Sequence, residues 1–211
     1  MRFTMKNKIG LLGGTFNPIH RGHIELGLQV SDAFKLEKIL YILSAYPPHK
    51  KNKKIVPAPI RWEMLDKALT PFPQLVPCDI EMKRSTWSWT VDTVKELRKK
   101  YTGAAFYFIS GSEGFLKIRT WKNYKDLLNS LSFIVVLREP GHRQAVETLL
   151  KEENMTLSSH PPSVHIFSYE SNTLFISSTL IREKIKRSQQ IDNLVEEEVK
   201  KIMEEYKLYE S

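Results

Sequence analysis

Short apolar runs alternate with helix-patterned stretches along most of the chain, and that alternation restricts the fold more than any single motif does. "KIGLL" (8–12), "KILYILS" (38–44), "AAFYFIS" (104–110) and "SFIVVLR" (132–138) are apolar on both sides of a strand. Such runs suit parallel strands covered on both faces, not a sheet with one wet side. "LVPCDIE" (75–81) and "SVHIFS" (163–168) read as further short strands, and Pro77 assigns the former to a sheet edge. Between the runs lie helical patterns. Ile24, Gly27, Leu28, Ser31 and Phe34 recur at helical spacing, and Val91, Val94, Leu97 and Tyr101 share one face of a helix over 90–101. The stretches 59–69, 124–130, 143–153, 178–187 and 193–206 are read as helices too, with Asn193 and Glu196 spaced as a capping pair.

This order predicts an α/β fold: a doubly wound, Rossmann-like and mainly parallel sheet. The 211 residues fit one domain over 1–211, with a small helical C-terminal subdomain from about 170. A formal net charge of +8 suits an anionic partner without choosing one. Cys78 is the only cysteine, which excludes an intrachain disulfide and a zinc cluster of several thiolates. No apolar stretch approaches the ~20 residues of a membrane helix, and Ile9 to Leu12 is too short for a signal-peptide core. These features lead us to expect a cytoplasmic protein with no membrane partner. Oligomeric state leaves no mark in the sequence.

In a doubly wound sheet, ligands bind beyond the carboxyl ends of the strands. "GGTFNPIHRGH" (13–23) follows the first strand. Gly13 and Gly14 permit a tight turn, and Thr15 and Phe16 continue it. His20 and His23 are three positions apart, so on a helix they share a face near an anion-attracting N-terminus. An ordinary glycine turn with two surface histidines would show the same letters. Near the other end, "ISSTLIR" (176–182) offers hydroxyls and N–H groups from Ser177, Ser178 and Thr179, with Arg182 one turn on. Those residues suit phosphate oxygens. They equally suit an N-capped amphipathic helix.

Together the two segments resemble the nucleotidylyltransferase superfamily, whose signatures are HxGH after the first strand and ISSTxIR late in the chain. Further segments resemble bacterial nicotinate-nucleotide adenylyltransferase: "PPHK" (47–50), "SWTVDT" (88–93), "FISGSEGFLKIRTWKNYKDLL" (108–128) and "LVEEEVKKIMEEYKLY" (194–209). The resemblance spans nearly the whole chain. It implies transfer of the adenylyl group of ATP to nicotinate mononucleotide by direct attack on the α-phosphate. It implies Mg²⁺ accompanying ATP, no metal held by the protein alone, and no nucleic-acid partner. His20, His23 and Arg182 become the catalytic set. Gly13, Gly14, Thr15, Phe16, Lys50, Gly111, Glu113, Ser177, Ser178 and Thr179 become the ATP and phosphate contacts. Thr90, Val91, Trp89 and Trp121 become the nicotinate-nucleotide contacts: free N–H groups at a helix start suit the carboxylate, and a tryptophan face suits the pyridinium ring.

Three positions differ from the family pattern. Glu113 stands where aspartate is usual, Asn17 stands where aspartate is frequent though asparagine also occurs and suits a turn, and Trp89 stands in place of tyrosine. The resemblance also attaches a loosely defined role to Arg138. Two other readings fit parts of the chain. A phosphopantetheine adenylyltransferase or cytidylyltransferase would share the phosphate motifs but not the Trp121 segment. A non-catalytic nucleotide- or RNA-binding module would share the basic charge and the aromatics.

Overall fold

The computed structural model describes residues 7–47, 55–84, 87–137, 141–155, 163–168 and 176–210. Among these residues, six parallel strands form one sheet: β1 (Lys8–Gly14), β2 (Lys38–Leu43), β3 (Leu75–Cys78), β4 (Ala105–Gly111), β5 (Ser132–Leu137) and β6 (Val164–Ser168). Their spatial order is β3-β2-β1-β4-β5-β6. The chain runs outward from β1 to one edge, then returns and continues from β4 to the other. The reversal leaves a crevice at the carboxyl ends of β1 and β4, where ligands bind in sheets of this kind. β3, with Pro77, is an edge strand as the sequence predicts.

The strands are apolar on both sides because both faces are covered. Ile39, Tyr41 and Leu43 face one core, together with α1 (Arg21–Phe34), α2 (Ala58–Leu69), α7 (Ser178–Lys186) and α8 (Glu197–Glu205). Leu40 and Ile42 face the other, together with α3 (Thr90–Lys100), α5 (Tyr124–Ser130) and α6 (His142–Glu152). The short helix α4 (Ser112–Phe115) follows β4 directly and buries Phe115 in that second core. α8 packs on α2, and Val199, Ile202 and Met203 join the first core.

Two local expectations are corrected. Gly13 and Gly14 do not form a turn: both are strand residues, paired with Ile42 and Leu43. The left-handed residue of this region is Phe16, at φ 45°. A side chain there costs about 1–2 kcal/mol, and burial of the Phe16 ring offsets it. Gly14 is needed for that ring, because a Cβ at 14 would lie 2.8 Å from it. The second correction concerns α8. Asn193 lies outside the helix, Glu196 is its N-cap residue, and no side-chain cap bond forms. The Glu196 carboxylate instead pairs with Arg21 at 3.2 Å.

Two buried polar groups fix the position of α1 and the loops beside it. The Tyr41 hydroxyl donates to the His23 carbonyl at 2.7 Å, reaching across α1 at Gly27. Arg61 of α2 is 1% exposed and donates to four carbonyls: Thr15 (2.6 Å), Ser44 (2.9 Å), Ala45 (3.2 Å) and Val56 (2.7 Å). Burial lowers its pKa to about 10, so the guanidinium stays charged at neutral pH. One cation thus holds the segments after β1 and β2 and the segment before α2.

A Cβ at Gly27 would lie 2.1 Å from the Tyr41 hydroxyl. Gly27→Ala is expected to destabilise the protein by about 2 kcal/mol in denaturant unfolding, as forced overpacking does. Arg61→Ala leaves several buried carbonyls without their donor and is expected to cost about 3 kcal/mol or more in the same assay.

Candidate active site

The segment from Thr15 to His20 links β1 to α1 and has no regular ladder of its own. Its backbone groups are taken up by side chains from elsewhere. Arg61 holds the Thr15 carbonyl. Arg182 Nη1 donates to the Asn17 carbonyl at 2.8 Å, and the Ser178 hydroxyl donates to the Pro18 carbonyl at 2.8 Å. The Asn17 side-chain oxygen accepts from the Val56 N–H at 3.2 Å and from the Tyr209 hydroxyl at 2.9 Å. Burial pushes the Tyr209 phenol well above its usual range, so it remains a donor. The two segments that the sequence singled out, 13–23 and 176–182, are therefore bonded directly to each other.

His20 occupies the N-cap position of α1 without a side-chain cap bond, and His23 lies in its first turn. Their rings stack with centroids 3.7 Å apart, and the edge of Phe16 meets His23 at 5.1 Å. His20 is 5% exposed and lies beneath His23. His23 is the more open of the two and lines a cavity of about 880 Å³ over the carboxyl ends of β1 and β4. That volume suits a nucleotide-sized ligand.

Gly13, Gly14, Thr15 and Phe16 form one wall of this cavity, and Gly111 and Glu113 form another. The longer side chain at 113 curls back over Gly111, since a Cβ there would lie 2.6 Å from Glu113 Oε2. Trp89, Thr90 and Trp121 also line the cavity and make up its tryptophan-bearing part. Trp121 is half-buried and stands edge-on against Phe108 at 5.4 Å. Thr90 opens α3, with Trp89 as its N-cap residue. Val91 buries its side chain in the second core, so only its backbone N–H can serve a ligand.

Ser178 and Arg182 bond to the 15–20 loop, and Ser177, Ser178, Thr179 and Arg182 are all outside the cavity lining. Ser177 does cap α7: its oxygen accepts from the Leu180 N–H at 3.1 Å, which leaves its O–H to donate. Ser178 directs its O–H at Pro18. Arg182 uses two of its five N–H donors, on Asn17 and on Thr179 Oγ1. Lys50 and Arg138 lie outside the described residues.

The site also contains residues that sequence reasoning missed. Glu81 is buried in the cavity wall, and burial raises its pKa; it accepts from the Thr93 hydroxyl at 2.7 Å. Arg84 donates to Thr93 in turn, at 2.9 Å. Arg61 and Tyr209 were missed as well. Among the described residues, no three His, Cys, Asp or Glu side chains come together as a metal site. No helix among them is long and apolar enough to cross a membrane.

Residues 11–184 match the family described as cytidylyltransferase-like. A protein of Desulfitobacterium hafniense named "Probable nicotinate-nucleotide adenylyltransferase" is 34% identical over 96% of this chain and 95% of its own length. A protein of Clostridium tetani with the same name is 33% identical over 97% of this chain and its entire length. Among solved structures, Plasmodium falciparum nicotinic acid mononucleotide adenylyltransferase complexed with NaAD superposes with a TM-score of 0.78. It covers 98% of both chains at 21% identity, a likeness of fold. A cytidylyltransferase-like core with full-length relatives of this kind assigns the chain to the nicotinate-nucleotide adenylyltransferase family.

Proposed function

We propose that the cavity joins nicotinate mononucleotide to ATP, giving nicotinate adenine dinucleotide and pyrophosphate. One observation carries the reading: His23, Thr90, Trp89 and Trp121 open onto a single cavity. A helix start suited to phosphate and a place for a flat, cationic ring thereby share one cavity of nucleotide size.

The phosphate of the mononucleotide is already anionic near neutral pH, so its oxygen needs no strong base. It attacks the α-phosphorus of ATP, a new P–O bond forms, and the bond to the β-phosphate oxygen breaks. Catalysis of this kind is positioning and charge stabilisation. His23 donates to the α-phosphate oxygens, and His20 holds the His23 ring in place from beneath. The Gly13–Phe16 backbone brings N–H groups close to the phosphates. The start of α7, which lies outside the cavity lining, is assigned to the departing pyrophosphate, because the Ser177 O–H and the Arg182 donors not used on Asn17 and Thr179 suit phosphate oxygens.

Mg²⁺ bound to the ATP phosphates would offset their charge and keep most of its waters. The hydroxyl, imidazole and amide donors of this site fit a metal that arrives on the polyphosphate. Glu113 faces the adenosine end and is the candidate partner of the ribose. The thin set of thiols, a lone buried Cys78, supports a cytoplasmic setting.

The reading is tested by pyrophosphate release from ATP with nicotinate mononucleotide, nicotinamide mononucleotide and phosphopantetheine offered in turn. Release is expected with the mononucleotides and not with phosphopantetheine. His23→Ala is expected to lower kcat by about 100-fold or more while thermal unfolding stays cooperative. Near-normal turnover by that variant would remove His23 from the mechanism.

A further inference from the structure

We propose that the ion pair between Lys122 and Asp92 sets the preference between an acceptor with a ring carboxylate and one with the uncharged amide. The inference rests on the functional reading above and concerns the aromatic end of the same cavity. Lys122 follows Trp121 and lines that end. Its Nζ lies 3.0 Å from Asp92 Oδ2 and 5.9 Å from the centre of the Trp89 ring. Asp92 is in the first turn of α3, two residues after Thr90. A cation and an anion therefore lie beside the helix start that would receive the acceptor's ring substituent.

The electrostatics of this corner depend on which of the two charges acts on the ligand. The helix N-terminus attracts an anion, and so does the Lys122 ammonium; the Asp92 carboxylate repels one. Glu81 and Glu113 are carboxylates that also line the cavity, and the Glu81 oxygen is already engaged by the Thr93 hydroxyl. Lys117, also in the wall, adds a second cation. The side chains of Lys122 and Asp92 are 44% and 38% exposed, so the pair is partly solvated and weakly held. Lys122 can exchange the Asp92 carboxylate for that of the acceptor and remain charge-paired throughout. An acceptor amide offers no such exchange. Lys122 thus favours the acid, and Asp92 restrains that preference by competing for the same ammonium.

The two charges make predictions of opposite sign. Steady-state pyrophosphate release is measured with nicotinate and nicotinamide mononucleotides for the wild-type protein, Lys122→Gln and Asp92→Asn. Lys122→Gln is expected to lower the acid-to-amide ratio of kcat/KM by roughly fivefold, mainly through KM for the acid. Asp92→Asn is expected to raise the ratio by a smaller factor. Both shifts are expected to shrink at high salt. A purely structural ion pair would change both acceptors alike and move both variants in one direction. Either result, or an unmoved ratio in Lys122→Gln, overturns the inference while leaving the functional reading intact. Absence of release by the wild-type protein with both acceptors overturns that reading, and the inference with it.

Discussion

Three backbone carbonyls in the loop between β1 and α1 accept hydrogen bonds from side chains of other helices. Thr15 is held by Arg61, Asn17 by Arg182 and Pro18 by Ser178. Polar backbone groups in a buried loop must find partners, and here neither helix nor sheet supplies them. The loop's shape is therefore a property of α2 and α7, which close on it from either side. Everything at the start of α1 inherits that shape: the placement of Phe16, the stacked histidines and the first turn of the helix.

The sheet supplies the complementary constraint. Its order puts β1 and β4 side by side with their connections leaving in opposite directions, so no crossover covers their carboxyl ends. The cavity exists for that topological reason. Its two ends are then built by different faces of the fold. The histidine end belongs to α1, on the side of the first core. The tryptophan end belongs to α3 and the segment after α4, on the side of the second. A ligand spanning the cavity bridges the sheet's two sides.

Most of the fold was legible because strand and helix periods are local. Continuous apolar runs gave the parallel strands, and the turn of amphipathic pattern gave the helices to within a few residues. The pairing of 13–23 with 176–182 was legible only through the resemblance, since nothing local joins positions 165 apart. What stayed hidden were long-range polar contacts. Arg61 sits in "PIRWEMLDKAL" like any charge on a solvated helix face, yet among the described residues it heads the largest fully buried side chains. Glu196 reads as half of a capping pair because a local partner is the default assumption, whereas its carboxylate goes to Arg21. Gly13 and Gly14 suggest a turn. Their absence of side chains instead leaves the strand ends bare, with Phe16 folded over one of them.

The Tyr209 hydroxyl reaches Asn17 from 192 positions away. During synthesis, β1 and the loop emerge before Arg61, and the donors of α7 and Tyr209 emerge well after both. A nascent chain can thus assemble the sheet's first half with a loop whose carbonyls are only partly engaged. The restraints from α7 and Tyr209 are translated only after the whole sheet, so the shape of the 15–20 loop is completed late in the order of the chain.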